Sequence, residues 1–110
     1  MAGIDERMRF ASLLSLIERG VAEADAGLAT FALHPLESDA PCSRALQRHA
    51  RKRSKRLARQ VGTAAPEQVG PLAAEAIRDY LEMAQSAGDV GYSERFRLVL
   101  SKQGHFRSEV

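Results

Sequence analysis

The sequence predicts an all-α protein: a small four-helix, bundle-like single domain whose second helix is basic and amphipathic. Three observations carry that expectation. Apolar residues recur at steps of three and four, the period of one helical face, and strand-type alternation is absent. Pro, Gly and Ser fall where the periodic segments begin and stop. Eight of the sixteen Lys and Arg residues lie between Arg44 and Arg59, spaced so that nearly all of them avoid a narrow apolar seam.

Each helix can be argued in turn. Phe10, Leu14, Ile17, Val21, Ala24 and Leu28 share one stripe, which predicts a first helix. Asp5 is placed to cap its start, with Glu6 near the positive end of its dipole. It ends near Asp25 or runs on toward Thr30, and Gly20 and Gly27 each weaken it by about 1 kcal/mol relative to Ala. Leu28 to Leu33 reads equally as helix or strand, and His34-Pro35 breaks it because the residue before proline avoids helical dihedrals. Pro35 to Pro41 is a loop.

Ser43 caps the second helix, which runs to about Val61 and is closed by Gly62. Thr63 to Gly70 forms a linker. Pro71 occupies the first turn of a third helix, Leu72 to about Ser86, with Gly88 beyond its end. Ala73, Ile77, Tyr80, Leu81 and Ala84 form its buried face. Ser93 caps a fourth helix, Glu94 to Gln103, in which Phe96, Val99 and Leu100 point one way and Gly104 ends the run. One domain is expected over 1–110, with 104–110 as a loose tail.

The basic helix is ordered around its axis. With Leu46 at zero on a wheel of 100° per residue, Ala50, Ser54, Leu57 and Val61 lie between about 20° and 80°. Arg44, Arg48, Arg51, Lys52, Lys55, Arg56 and Arg59 lie between about 140° and 280°. Only Arg53 strays toward the seam, where its long stem can snorkel outward.

No carboxylate occurs from Ala40 to Pro66, so the rest of the chain carries eight positive against fourteen negative residues, a net −6 beneath an overall +2. Like charges on neighbouring turns repel by a few tenths of a kcal/mol per pair. External anions are the natural compensation, and the six arginines to two lysines of the block favour forked hydrogen bonds to phosphate. Beside the seven cations the helix offers Gln47, His49, Ser54 and Gln60 but no aromatic for base stacking, so duplex DNA or structured RNA suits it better than a single strand. The competing bland account is a solvated face, or one that neutralises the acidic body of the same protein.

Other chemistry is thinly supplied. Cys42 excludes an intramolecular disulfide and fits a reducing, cytoplasmic location. Its place at a helix start near arginines could lower its thiol pKa. His34, His49 and His105 are scattered, and with Cys42 they match no familiar zinc spacing. The eight glycines are spread singly, with no phosphate loop. Glu75, Asp79 and Glu82 read as a solubilising flank. Residues 84–99 carry the small-residue and glycine spacing of a helix-turn-helix, with Glu94, Arg95 and Arg97 leading the second helix, but an ordinary helical hairpin explains them as well. No apolar stretch approaches the roughly 20 residues that span a bilayer, and the seam lacks the bulky anchors of a membrane-surface helix.

The expectation is therefore a non-enzymatic protein, without cofactor or metal, that binds nucleic acid through Arg44, Arg48, Arg51, Lys52, Lys55, Arg56 and Arg59. The alternative is an adaptor or inhibitor whose basic face grips an acidic protein surface. Either is compatible with a homodimer, which would double the basic surface and help a core poor in aromatics. A membrane partner is not expected.

Overall fold

Five α-helices appear in the computed structural model, which describes residues 3–36 and 40–102, with side chains from residue 11 onward. They are α1 (Gly3–Glu18), α2 (Glu23–Leu33), α3 (Arg44–Thr63), α4 (Pro66–Ala87) and α5 (Val90–Lys102). The described residues contain no strand. The radius of gyration, 13.6 Å, is that of a compact chain of this length.

The expected first helix is two helices. Gly20 adopts φ +90°, a left-handed conformation that turns the chain after α1. Its N–H donates to the Ile17 carbonyl and that of Val21 to Leu16, which closes α1. The break also disposes of the single stripe. Leu16, Val21 and Leu28 are buried, whereas Leu14 and Ile17 are 43% and 40% exposed and Ala24 is exposed. The ambiguous segment Leu28 to Leu33 is helical, and α2 buries Ala26, Leu28, Ala29, Thr30 and Ala32. Asp5 lies inside the first turn of α1, since that helix begins at Gly3.

The segment Thr63 to Gly70, expected as a linker, is mostly helix. Pro66, and not Pro71, opens α4. At the first position of a helix proline removes an N–H that has no partner there anyway. Gln68 Oε1 accepts from the Ala65 N–H at 3.2 Å, which secures the same end. Pro71 is then inside α4, on its exposed side. One residue earlier the helix runs close to α2: a Cβ at Gly70 would lie 2.5 Å from Asp25 Oδ1, so only glycine fits without moving that carboxylate.

Helix α4 is central, packing on α2, α3 and α5, while α1 packs mainly on α2. Its expected face, Ala73, Ile77, Tyr80, Leu81 and Ala84, is buried in full. The four aromatic side chains among the described residues gather at one place. Phe96 of α5 meets Phe31 at 6.1 Å, Tyr80 at 5.7 Å and Tyr92 at 5.9 Å between ring centroids. Such offset contacts add to the burial of large rings. Tyr80 donates its hydroxyl to the Ala32 carbonyl at 2.7 Å, tying α4 to α2.

Only Gly88 and Asp89 connect α4 to α5, a tighter turn than the expected Gly88 to Ser93 connection. Gly88 takes φ +78° and its N–H reaches the last carbonyls of α4. Ser93, expected as a cap, is buried inside α5, and its N–H donates to the Asp89 carbonyl at 2.9 Å. Glu94, Arg95 and Arg97 consequently lie beyond the first turn of α5 and do not lead it. The expected ends at Gln103 and Gly104, and the tail 104–110, lie outside the described residues, as does His105. No helix among the described residues is long and apolar enough to cross a membrane.

Candidate nucleic-acid interface

The candidate interface is built on α3, and both ends of that helix are fixed by other parts of the chain. At its start Ser43 Oγ accepts from the Leu46 N–H at 3.1 Å, the capping role expected of it. That serine is itself held. Its Oγ donates to Asp89 Oδ2 at 2.7 Å and its N–H to Asp89 Oδ1 at 3.0 Å, which joins α3 to the α4–α5 turn. At the far end, Arg19 Nη2 donates to the carbonyls of Val61 and Ala64 at 2.9 and 3.2 Å. A cation is well placed there, because the C-terminal carbonyls of a helix carry its negative pole. The helix continues through Gly62 to Thr63.

Between those anchors α3 buries Leu46, Ala50, Arg53, Leu57 and Val61. The expected seam is present except at one place: Ser54 is half-buried, and Arg53 replaces it in the interior at 6% exposure. Arg53 does not snorkel outward. Its Nε donates to Asp79 Oδ2 at 2.9 Å, its Nη1 to Gln60 Oε1 at 3.4 Å, and Glu75 Oε1 lies 3.8 Å from Nη2. His49 donates Nε2–H to the other oxygen of the same carboxylate, Asp79 Oδ1, at 3.0 Å; an ionised carboxylate only accepts, so that ring nitrogen carries the proton. Asp79 thus clamps two turns of α3. The flank expected to be merely solubilising is part of the α3–α4 interface.

The other seven cations are placed differently. Arg44, Arg48, Arg51, Lys52, Lys55, Arg56 and Arg59 are all exposed. None forms an ion pair with a carboxylate among the described residues. The ridge runs from Arg44 to Arg59, fifteen residue steps or about 22 Å at 1.5 Å per residue. It is a track of positive charge one helix long, rigidly seated and open to solvent. Sequence reasoning missed the clamp because its partners lie 26 and 30 residues away on another helix. The one available signal was the angle of Arg53 on the wheel.

Cys42 is half-buried beside this helix start. The expected lowering of its pKa is reversed: burial pushes the thiol up, and the nearby Asp89 carboxylate adds to the rise. Among the described residues no three His, Cys, Asp or Glu side chains are grouped to hold a metal ion.

Comparison with known protein families, with curated proteins and with solved structures finds no match to this chain.

Proposed function

We infer that the protein binds nucleic acid, without catalysing a reaction, by laying the α3 ridge along the phosphates of duplex DNA or structured RNA. The observation that carries this reading is the division of the eight basic residues of the block. One, Arg53, is buried and neutralised from within, and the remaining seven face solvent with no carboxylate paired to them among the described residues. A ridge serving only to balance the acidic body would be expected to meet that body's carboxylates. Four exposed arginines and lysines on successive turns instead offer hydrogen bonds and charge to an external polyanion. All three aromatic rings of α4 and α5 are buried, which leaves no stacking platform on those helices and favours contacts to the backbone over contacts to splayed single strands.

Fluorescence anisotropy with a labelled mixed-sequence duplex tests the reading. Replacing Arg48, Lys52, Lys55 and Arg59 together by Gln is expected to weaken binding at least tenfold while the circular dichroism stays helical. Equal binding by wild type and variant, or no binding by wild type at low salt, would overturn it. Capture of an acidic protein through the same four residues would transfer the ridge to the adaptor function.

A further inference from the structure

Helix α3 divides into two halves around its axis. With Leu46 at zero, every residue of the helix from His49 at about 300° round to Ser54 at about 80° is buried or half-buried. Every residue from Gln47 at about 100° to Arg56 at about 280° is exposed. The division holds from Arg44 to Thr63, so half of the helix surface stands clear of the described body along its whole length. All seven ridge cations lie in that free half, and six of them form two rows. Arg44, Arg51 and Lys55 fall on the α2 side, between about 140° and 180°. Lys52, Arg56 and Arg59 fall on the α4 side, between about 220° and 280°. The recess beside the second row is lined by three arginines and three carboxylates, so the acids of α4 do not outweigh the cations there.

We propose that α3 enters the major groove of duplex DNA, with one row of cations on each of the two phosphate backbones that wall the groove. The inference rests on the nucleic-acid reading and narrows its substrate class to duplex DNA. A helix laid along a single strand engages one row and turns the other, about 90° away, toward water. Two rows on a free half-cylinder match two walls. The dimensions agree: an α-helix with its side chains is about 10–12 Å across, and the B-DNA major groove is about 12 Å wide and about 8.5 Å deep. The major groove of an RNA duplex is deep and narrow, closed to side chains, and its shallow minor groove gives the flanks of a helix no walls. The helix also enters as a preformed body. Asp89 holds its Ser43 cap, and Arg19 holds the carbonyls at its other end.

The test compares three labelled duplexes of one mixed sequence: DNA, RNA, and DNA carrying glucosylated hydroxymethylcytosine, whose sugar fills the major groove and leaves the phosphates as they were. Wild type is expected to bind plain DNA at least about tenfold more tightly than either of the others. Arg51→Gln/Lys55→Gln and Lys52→Gln/Arg56→Gln each remove two cations from one row. Each pair should make the salt slope on plain DNA shallower by about 1.8, at about 0.9 per phosphate. All four side chains are exposed, so circular dichroism should stay that of wild type. Should a pair lower the helicity, the glucosylated duplex, which needs only wild type, decides the matter. Equal affinity for DNA and RNA, undiminished binding to glucosylated DNA, or a slope that responds to only one of the two pairs overturns groove entry while leaving the ridge intact. Absence of binding to every duplex overturns both readings at once.

Discussion

Arg53 and Arg48 lie five positions apart in one basic block, and the structure buries the first and exposes the second. Arg53→Met keeps most of the buried stem but leaves Asp79 facing an empty site. Removing one partner of a buried pair costs about 3–5 kcal/mol. Asp79 is 35% exposed and keeps His49, so water and imidazole offset part of that cost. We expect about 2 kcal/mol, a fall in Tm of about 10 °C for a chain of this size. The double variant Arg53→Met/Asp79→Asn should recover at least half of it, because the orphaned charge is gone. Arg48→Gln touches nothing buried and should stay within about 0.5 kcal/mol of wild type. Nucleic-acid binding should sort the two in reverse. Seven exposed cations set a ceiling near −6 for the log–log dependence of affinity on salt, at about −0.9 per phosphate on B-DNA. Arg48→Gln should make that slope shallower by about 0.9, and Arg53→Met should leave it unchanged. Thermal melting by circular dichroism and anisotropy titrations across salt read both quantities. If Arg53→Met melts with wild type yet flattens the slope as Arg48→Gln does, the buried clamp is wrong.

Three further outcomes follow from the anchors and the core. Asp89→Ala removes the acceptor of both Ser43 bonds and should cost about 1–2 kcal/mol in urea unfolding; Ser43→Ala should cost about 1 kcal/mol, and the two together less than their sum because they share one network. Arg19→Met strips the C-terminal carbonyls of α3 of a cationic donor at an exposed site, so a shift of about 1 kcal/mol in the urea midpoint with unchanged m is expected. Burial pushes the Tyr80 phenol well above its ordinary value, with Arg53 opposing and Asp79 reinforcing the rise. The unfolded chain then loses this proton first, so the contribution is complete below about pH 10 and is lost above it by up to about 1.4 kcal/mol per pH unit. Denaturation curves at rising alkaline pH should fall more steeply for wild type than for Tyr80→Phe.

What the sequence revealed, and what it hid, divides along physical lines. The helical character, the extent of the basic helix, its Ser43 cap and the buried face of α4 were legible because each depends on neighbours within one or two turns. The break at Gly20 was hidden: a glycine inside a plausible stripe costs only about 1 kcal/mol relative to Ala, and nothing local says whether the chain accepts that cost or turns. Leu14 and Ile17 fall on that stripe for the same reason, although both are exposed. Pro71 drew the start of α4 six residues too late because Pro66 offers the same signal with an Ala before it. The roles of Asp79, Asp89 and Arg19 could not be read at all, since their partners lie 26 to 46 residues away.

The clamp also bears on why the ridge faces outward. A helix carrying cations over a wide arc and only a slim apolar seam, Leu46, Ala50, Leu57 and Val61, has few directional contacts to fix its rotation. Asp79 supplies a directional restraint where apolar contact cannot: it binds Arg53 Nε through one oxygen and His49 Nε2 through the other, from a single position on α4. Turning α3 by one residue, about 100°, would break both bonds and carry Arg56 or Lys52 toward the interior, unpaired. Hydrogen-bonded charge in a core contributes weakly to stability and more to uniqueness of arrangement. Here the arrangement it selects is the one that leaves seven cations in water, so the cost of burying the eighth is offset by the orientation of the rest.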